Sequence, residues 1–178
     1  MKLSNLILRL RQFRTLHHWI GISIIFFMLI SSVTGLLLGW KKDVNLLQPP
    51  TQEGLSSNVA EWVSFDTVVR SAGQALDSVL HQSVAIERVD ARPEKGIIKV
   101  IYVNYWEVQI DGKSGKVLSV GQRHADWIEH IHDGSIISDG FKLFYTNYIG
   151  WGLLLMSISG FCLWYGPRVI RSLKARVG

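Results

Sequence analysis

Cysteine is all but missing from this sequence: Cys162 is the only one in 178 residues. A single thiol excludes an intrachain disulfide, a cysteine-built zinc site and a cysteine-held iron–sulfur cluster within one chain. Its position inside an apolar run suggests the role of a small buried hydrophobe. Also lacking are GxSxG, HExxH, a Gly-rich phosphate loop and a GxGxxG followed by an acid. No nucleotide or flavin site is therefore expected on this chain. Charge is missing from two stretches, Ile20 to Leu38 and Leu143 to Tyr165. Each has about 20 residues, the length that crosses roughly 30 Å of hydrocarbon as a helix. Two membrane spans follow, while a mean hydropathy only slightly above zero excludes a many-span transporter.

Acidic residues are absent from both ends as well. Lys2, Arg9, Arg11 and Arg14 precede the first span, and Arg168, Arg171, Lys174 and Arg176 follow the second. The positive-inside rule places both termini in the cytoplasm and the intervening loop of about 100 residues outside. The net charge of +5 then reflects topology, and no nucleic-acid partner is expected. The first apolar run lies far from the N-terminus and leads into WKKDVNLL rather than a small-residue cleavage site, so it reads as a retained helix.

The loop carries short-range signals of its own. NLLQPPTQEGLSSN is rich in turn formers and reads as a linker. In SFDTVVRSAGQALDSVL, apolar residues recur at helical spacing behind Ser64 as N-cap. VAIERVDA, GIIKVIYV, WEVQIDG and KVLSVGQ follow as four strand candidates, the last two joined by the turn-rich DGKSGK. One helix and four strands make a small α+β domain. The expected order is a basic N-terminus (1–15), a first span (16–40), a linker (41–59) and the α+β domain (60–123). A histidine-containing segment (124–141), a second span (142–166) and a basic tail (167–178) complete it. Asp66, Asp77, Glu87, Asp90, Glu94 and Glu107 form no paired-carboxylate pattern and read as solvated surface charge. His81 reads as a surface or capping residue.

Five of the six histidines sit at the membrane boundaries. His17 and His18 precede the first span, and His124, His130 and His132 precede the second. Imidazole is a common ligand of metals and of haem iron, so clusters at both boundaries point to ligation. His17, Gly21, Ile24, Met28, Ser31 or Ser32, and Gly35 share a helical stripe. Gly150, Ser157, Gly160 and Trp164 share another, with Gly152 and Ser159 close by. Such glycines suit close helix packing and equally a flat macrocycle between helices. His17 and His132 stand a membrane thickness apart and cannot ligate one iron. A two-fold axis along the membrane normal would instead pair each with its copy. The expectation is a homodimeric four-helix bundle with two bis-histidine haems b, one near each face. His17 and His132 are the first-choice ligands, with His18 and His130 as alternates and Gly21 and Gly150 beside the cofactor. His130 and His132 are two positions apart, so at most one faces the bundle. Trp19, Trp151, Trp164, Tyr145 and Tyr148 read as interfacial belts. Arg14 and Arg168 read as topology signals, with propionate pairing as the alternative.

LHHWIGISIIFFMLISSVTGLLL resembles the first helix of the PepSY-associated transmembrane family, in which a His-Arg-Trp-x-Gly pattern opens a span ending in Thr-Gly. His17, Trp19, Gly21, Thr34 and Gly35 match, and His18 stands where Arg is usual. The stretch from Ile131 to Arg168 resembles the second helix through His132, Ser159-Gly160, Leu163-Trp164 and Pro167-Arg168. VQIDGKSGKVLSV resembles the end of a PepSY domain, its Asp-x-x-Ser-Gly turn being Asp111 to Gly115. Larger members include periplasmic ferric-siderophore reductases with two b-type haems, and this chain resembles half of such a protein. It also resembles short two-span proteins of bacterial iron uptake. The resemblance implies an inner-membrane reductase of ferric iron or ferric chelates, with the central domain periplasmic. A quinol or a dehydrogenase would be the donor, and a ferrous iron importer a partner. The rival reading is a non-enzymatic PepSY module that docks a periplasmic partner. A direct metal-ion site for transport ranks last.

Overall fold

The computed structural model describes residues 3–177; Lys2 and the side chain of Arg176 lie outside what is described. The element order is α1 (Leu3–Gly39), α2 (Phe65–Leu80), β1 (Ile86–Arg92), β2 (Ile97–Tyr102), β3 (Trp106–Asp111), β4 (Val117–Gln122), α3 (His124–Asp133) and α4 (Asp139–Val177). The chain divides into two compact units, 1–35 with 130–178 and 36–129. The divisions fall inside α1 and α3.

In the first unit, α1 and α4 are each long and apolar enough to cross a membrane. α1 begins at Leu3 and α4 runs on to Val177, so each takes in basic residues beyond its span, Arg and Lys being good helix formers. Pro167 sits inside α4. It removes one ladder hydrogen bond there, a position where helices kink.

The helices meet along the α1 stripe read from sequence. Gly21 faces the Met156 side chain, Ile24 faces Gly152, and Leu10 faces Gly166. Ser31 Oγ lies 2.9 Å from Tyr145 Oη. Tyr145 is buried and packs edge-on against Phe27. This corrects its reading as an interfacial belt residue: its hydroxyl donates to Phe27 O at 3.3 Å and its ring fills the seam. Trp19, Trp151 and Trp164 do remain exposed. On α4 the contacting face runs through Tyr145, Gly152, Met156 and Ser159, rotated from the stripe through Gly150 and Ser157.

The second unit is the α+β domain. Its sheet is antiparallel in the order β1-β2-β3-β4. Ser64 caps α2 by accepting from Thr67 N, and His81 ends it in a left-handed conformation, as a C-cap. Val68, Ala72 and Leu76 on α2 cover Ile98, Val100, Tyr102, Val108 and Ile110 on one sheet face. The other face carries Ile97, Lys99 and Ile101 from β2, and Glu107, Gln109 and Asp111 from β3, all buried. Burial on both faces explains why GIIKVIYV is nearly continuous in apolar residues rather than alternating.

The cover of that second face is part of the segment read as a linker. Gln52 N donates to Gln109 Oε1 at 2.8 Å, and Gln109 Nε2 to Pro50 O at 3.0 Å. Lys99 Nζ reaches Thr51 Oγ1 at 3.1 Å, and Leu55 N donates to Asp111 Oδ1 at 2.8 Å. Turn-forming composition marks irregular backbone correctly, but it is blind to polar strand residues that tie such backbone down.

Glu107 is the clearest correction to the reading of surface acids, being 1% exposed. Lys99 Nζ at 3.2 Å and Gln109 Nε2 at 2.8 Å donate to Oε1, and Arg123 to Oε2. Arg123 also grips Asp126 with both Nε (2.7 Å) and Nη2 (2.9 Å). Burial would by itself favour a neutral guanidine, but Asp126 and Glu107 outweigh it and hold Arg123 above its ordinary pKa. Two cations thus neutralise two anions, the condition under which buried charge is tolerated.

Candidate functional site

The chemistry-bearing side chains of the first unit are histidines, and the helix pairing decides what each one meets. His17 Nδ1 lies 2.8 Å from Ser159 Oγ on α4. His132, at the end of α3, brings Nδ1 to 2.9 Å from Thr34 Oγ1 on α1. Both rings are half-buried, whereas Ser159 and Thr34 are buried. Each hydroxyl also binds backbone one turn earlier in its own helix. Ser159 Oγ donates to Leu155 O at 2.7 Å, and Thr34 Oγ1 to Ile30 O at 2.7 Å.

A glycine follows the hydroxyl residue in both cases. A Cβ on Gly160 would stand 3.5 Å from His17 Cε1, and one on Gly35 would stand 3.3 Å from His132 Cε1. The Ser-Gly and Thr-Gly pairs therefore serve as matched seats for an imidazole: a hydroxyl for one ring nitrogen and a bare backbone for the ring edge. Thr34 and His17 are 17 positions apart on α1, so the two seats are separated by about 25 Å along the helix. Among the described residues, no hydrogen bond engages Nε2 of His17 or His132. No three His, Cys, Asp or Glu side chains gather among the described residues either. Each seat thus leaves one ring nitrogen that could serve as a ligand.

The turn between α3 and α4 fixes the His132 end. Gly134 has φ +79 and leaves room for Phe141 and Tyr145. Asp133 Oδ1 accepts from Ser135 N at 2.9 Å, and Lys142 Nζ pairs with Asp133 at 2.6 Å. Burial raises the Asp133 pKa, but the Lys142 and Ser135 contacts outweigh it and bring the carboxyl to about 2. It is an anion throughout the physiological range and a constant restraint on the residue next to His132.

The remaining candidates are placed as follows. His18 is exposed, with its ring edge-on to Trp19. His130 is half-buried and its carbonyl accepts from Ile136 N. Gly21 lies in the helix seam, while Gly150 faces open space. Arg168 stacks over Trp164 at 4.0 Å and donates to its carbonyl at 2.9 Å. His124 opens α3 and is exposed.

The sequence matches the family model of the PepSY-associated TM region over residues 14–176. The chain belongs to the PepSY-associated transmembrane family. No curated protein matches it. The match spans both long helices and the α+β domain, so this PepSY-associated protein is a membrane protein. Sequence reasoning names Ser159 and Thr34 as motif positions but does not pair them with the histidines. Both stood inside recognisable Ser-Gly and Thr-Gly motifs, but their partners lie 142 and 98 positions away. No local pattern links residues that distant.

Proposed function

We propose that this PepSY-associated protein is a homodimeric haem-b protein that carries electrons across the bacterial inner membrane. It reduces ferric iron or ferric chelates on the periplasmic side and so supplies ferrous iron for uptake. The observation that carries this reading is the duplicated seat: two imidazoles at opposite ends of one helix pair, each with Nδ1 engaged and Nε2 without a hydrogen bond among the described residues. A half-buried imidazole held by a helix hydroxyl needs an account of its second nitrogen, and a haem iron supplies one.

The residues fit such a group. His17 of one protomer and its copy in the second would hold one haem near the cytoplasmic face, and His132 with its copy would hold the other near the periplasmic face, two per dimer. Bound there, the haems supply one-electron chemistry at two depths of the membrane. The chain itself holds the rings in place, closes the helix seam with Tyr145 and Phe27, and keeps the apolar faces in lipid. No acid–base residue is required, since outer-sphere reduction of an iron chelate needs only a reducing centre close to solvent. A quinol or a separate dehydrogenase supplies the electrons. The basic ends support the cytoplasmic placement of both termini.

An absorption spectrum of the detergent-purified protein, oxidised and then dithionite-reduced, tests the reading. A Soret band that shifts, with sharp α and β bands on reduction, is the expected result. His17→Ala and His132→Ala should each remove about half of the pigment, one haem of the two apiece. A colourless preparation from haem-replete cells would sink the proposal and leave a membrane-anchored PepSY docking module in its place.

A further inference from the structure

We infer that Ser159 and Thr34 are positioning residues: each holds its histidine as the Nδ1–H tautomer and so presents a bare Nε2 lone pair to the iron. The inference rests on the haem reading above and adds to it the residues that set ligand form.

The proton inventory carries it. A hydroxyl has one hydrogen. The shortest contact of Ser159 Oγ is to Leu155 O at 2.7 Å, and a carbonyl has no hydrogen to give, so Ser159 is the donor there. With its proton committed, Oγ can only accept at the 2.8 Å contact with His17, and Nδ1 must be the donor. The same reasoning applies at the other seat. Thr34 Oγ1 commits its proton to Ile30 O at 2.7 Å and accepts from His132 Nδ1 at 2.9 Å. Each hydroxyl has a second carbonyl in reach as well, Met156 O at 3.2 Å and Ser31 O at 3.3 Å, so its proton stays with the helix backbone if it rotates. A neutral imidazole protonated on Nδ1 carries its lone pair on Nε2.

The two seats are built alike from unlike surroundings, one on α4 and one on α1. Serine and threonine interchange between them, as expected if the hydroxyl is what matters. Back-bonding of a helix hydroxyl to the carbonyl one turn earlier is of little benefit to a helix. Here it leaves the oxygen as a pure acceptor. Donation from Nδ1 also makes the ring a stronger electron donor at Nε2, which favours the ferric state of a bound iron and holds the centre at lower potential.

The test uses the full chain as the haem-loaded dimer, with Ser159→Ala and Thr34→Val and the conservative Ser159→Thr and Thr34→Ser. Potentiometric titration of the α band, the low-spin ferric electron paramagnetic resonance spectrum and haem transfer to excess apomyoglobin are measured. Each hydroxyl-free variant should move the potential of one haem upward, shift that haem's resonance, and speed its loss by about 10- to 100-fold. The other haem should be untouched, and the conservative variants should return to wild-type values. A wild-type spectrum with both haems, but potentials and haem loss unmoved by Ser159→Ala and Thr34→Val, would overturn this inference and leave the haem reading standing. Conservative variants that behave like the hydroxyl-free ones would also overturn it, since packing alone would then be at work. A colourless wild-type protein would sink both.

Discussion

The two units of this protein bury polar groups in different ways. In the α+β domain, Glu107 takes donors from Lys99, Gln109 and Arg123, and Arg123 is shared with both oxygens of Asp126. Every charge in that network has its opposite beside it. In the two-helix unit, His17 and His132 each spend one nitrogen on a hydroxyl and keep the other. A closed network holds a fold together, whereas each of these rings keeps a second nitrogen that no hydrogen bond among the described residues engages.

The largest effect should come from opening the closed network. Glu107→Leu removes the shared anion, taking from buried Lys99 its ion-pair partner and leaving Arg123 paired with Asp126. Breaking one partner out of a buried ionic set costs about 3–5 kcal/mol, a large part of an ordinary domain's stability. Thermal unfolding of the full chain in detergent, followed by near-ultraviolet circular dichroism, should show the sheet melting well below wild type. An unchanged melting temperature would erase the distinction drawn between the two units.

A smaller and pH-dependent effect is expected at Asp111, which knots the PepSY-type turn to residues 54 and 55. Burial raises its pKa, but the Ser114 hydroxyl and the backbone N–H groups of Leu55, Ser114 and Lys113 outweigh that and hold it below the usual carboxylate range. A depressed carboxylate stabilises the fold above its unfolded pKa and loses that contribution as pH falls through the folded value. Asp111→Asn should therefore cost on the order of 1–3 kcal/mol at neutral pH. The gap to wild type should begin to narrow below about pH 4 and go on narrowing as pH falls through the folded value. Denaturant titration at pH 7 and at steps below pH 4 follows the narrowing, and a gap independent of pH would assign the cost to shape rather than charge.

The smallest effect belongs to the open set. In haem-free protein, His17→Phe should cost no more than about 1.5 kcal/mol, the worth of one ordinary hydrogen bond. Ser159 keeps its carbonyl partner and the apolar ring suits the seam. Using haem-free chain matters, because a bound ligand would add its own stabilisation to the wild type. A loss as large as that of Glu107→Leu would mean that the histidine is structural after all.

Much of this was legible along the chain. Charge-free runs of span length, the α2 face of Val68, Ala72 and Leu76, the four strands and the stripe from His17 to Gly35 all follow from local periodicity. Ser64 and His81 cap α2 as their positions suggested. What escaped was every assignment that depends on a partner remote in sequence. Glu107 looked like a surface acid until Arg123 and Lys99 were seen beside it. Residues 50–55 looked like a tether until Gln109 and Asp111 were found pinning them. Tyr145 looked like a belt residue until Phe27 and Ser31 were found against it. Gly152 rather than Gly150 lies in the seam, because the rotation of α4 about its axis is set by packing and not by composition.

By itself, then, the sequence determined two membrane-length helices around a small α+β domain, and histidines at both ends of the lipid-facing part. Those properties depend on the spacing of apolar and charged side chains over a few turns, which any one segment carries alone. The tertiary structure decided which nitrogen of each histidine is engaged, because that depends on how helix packing brings Ser159 to His17 and Thr34 to His132. It also decided which acids are buried, because a carboxylate stays charged in a core only where cations from other strands and loops are delivered to it.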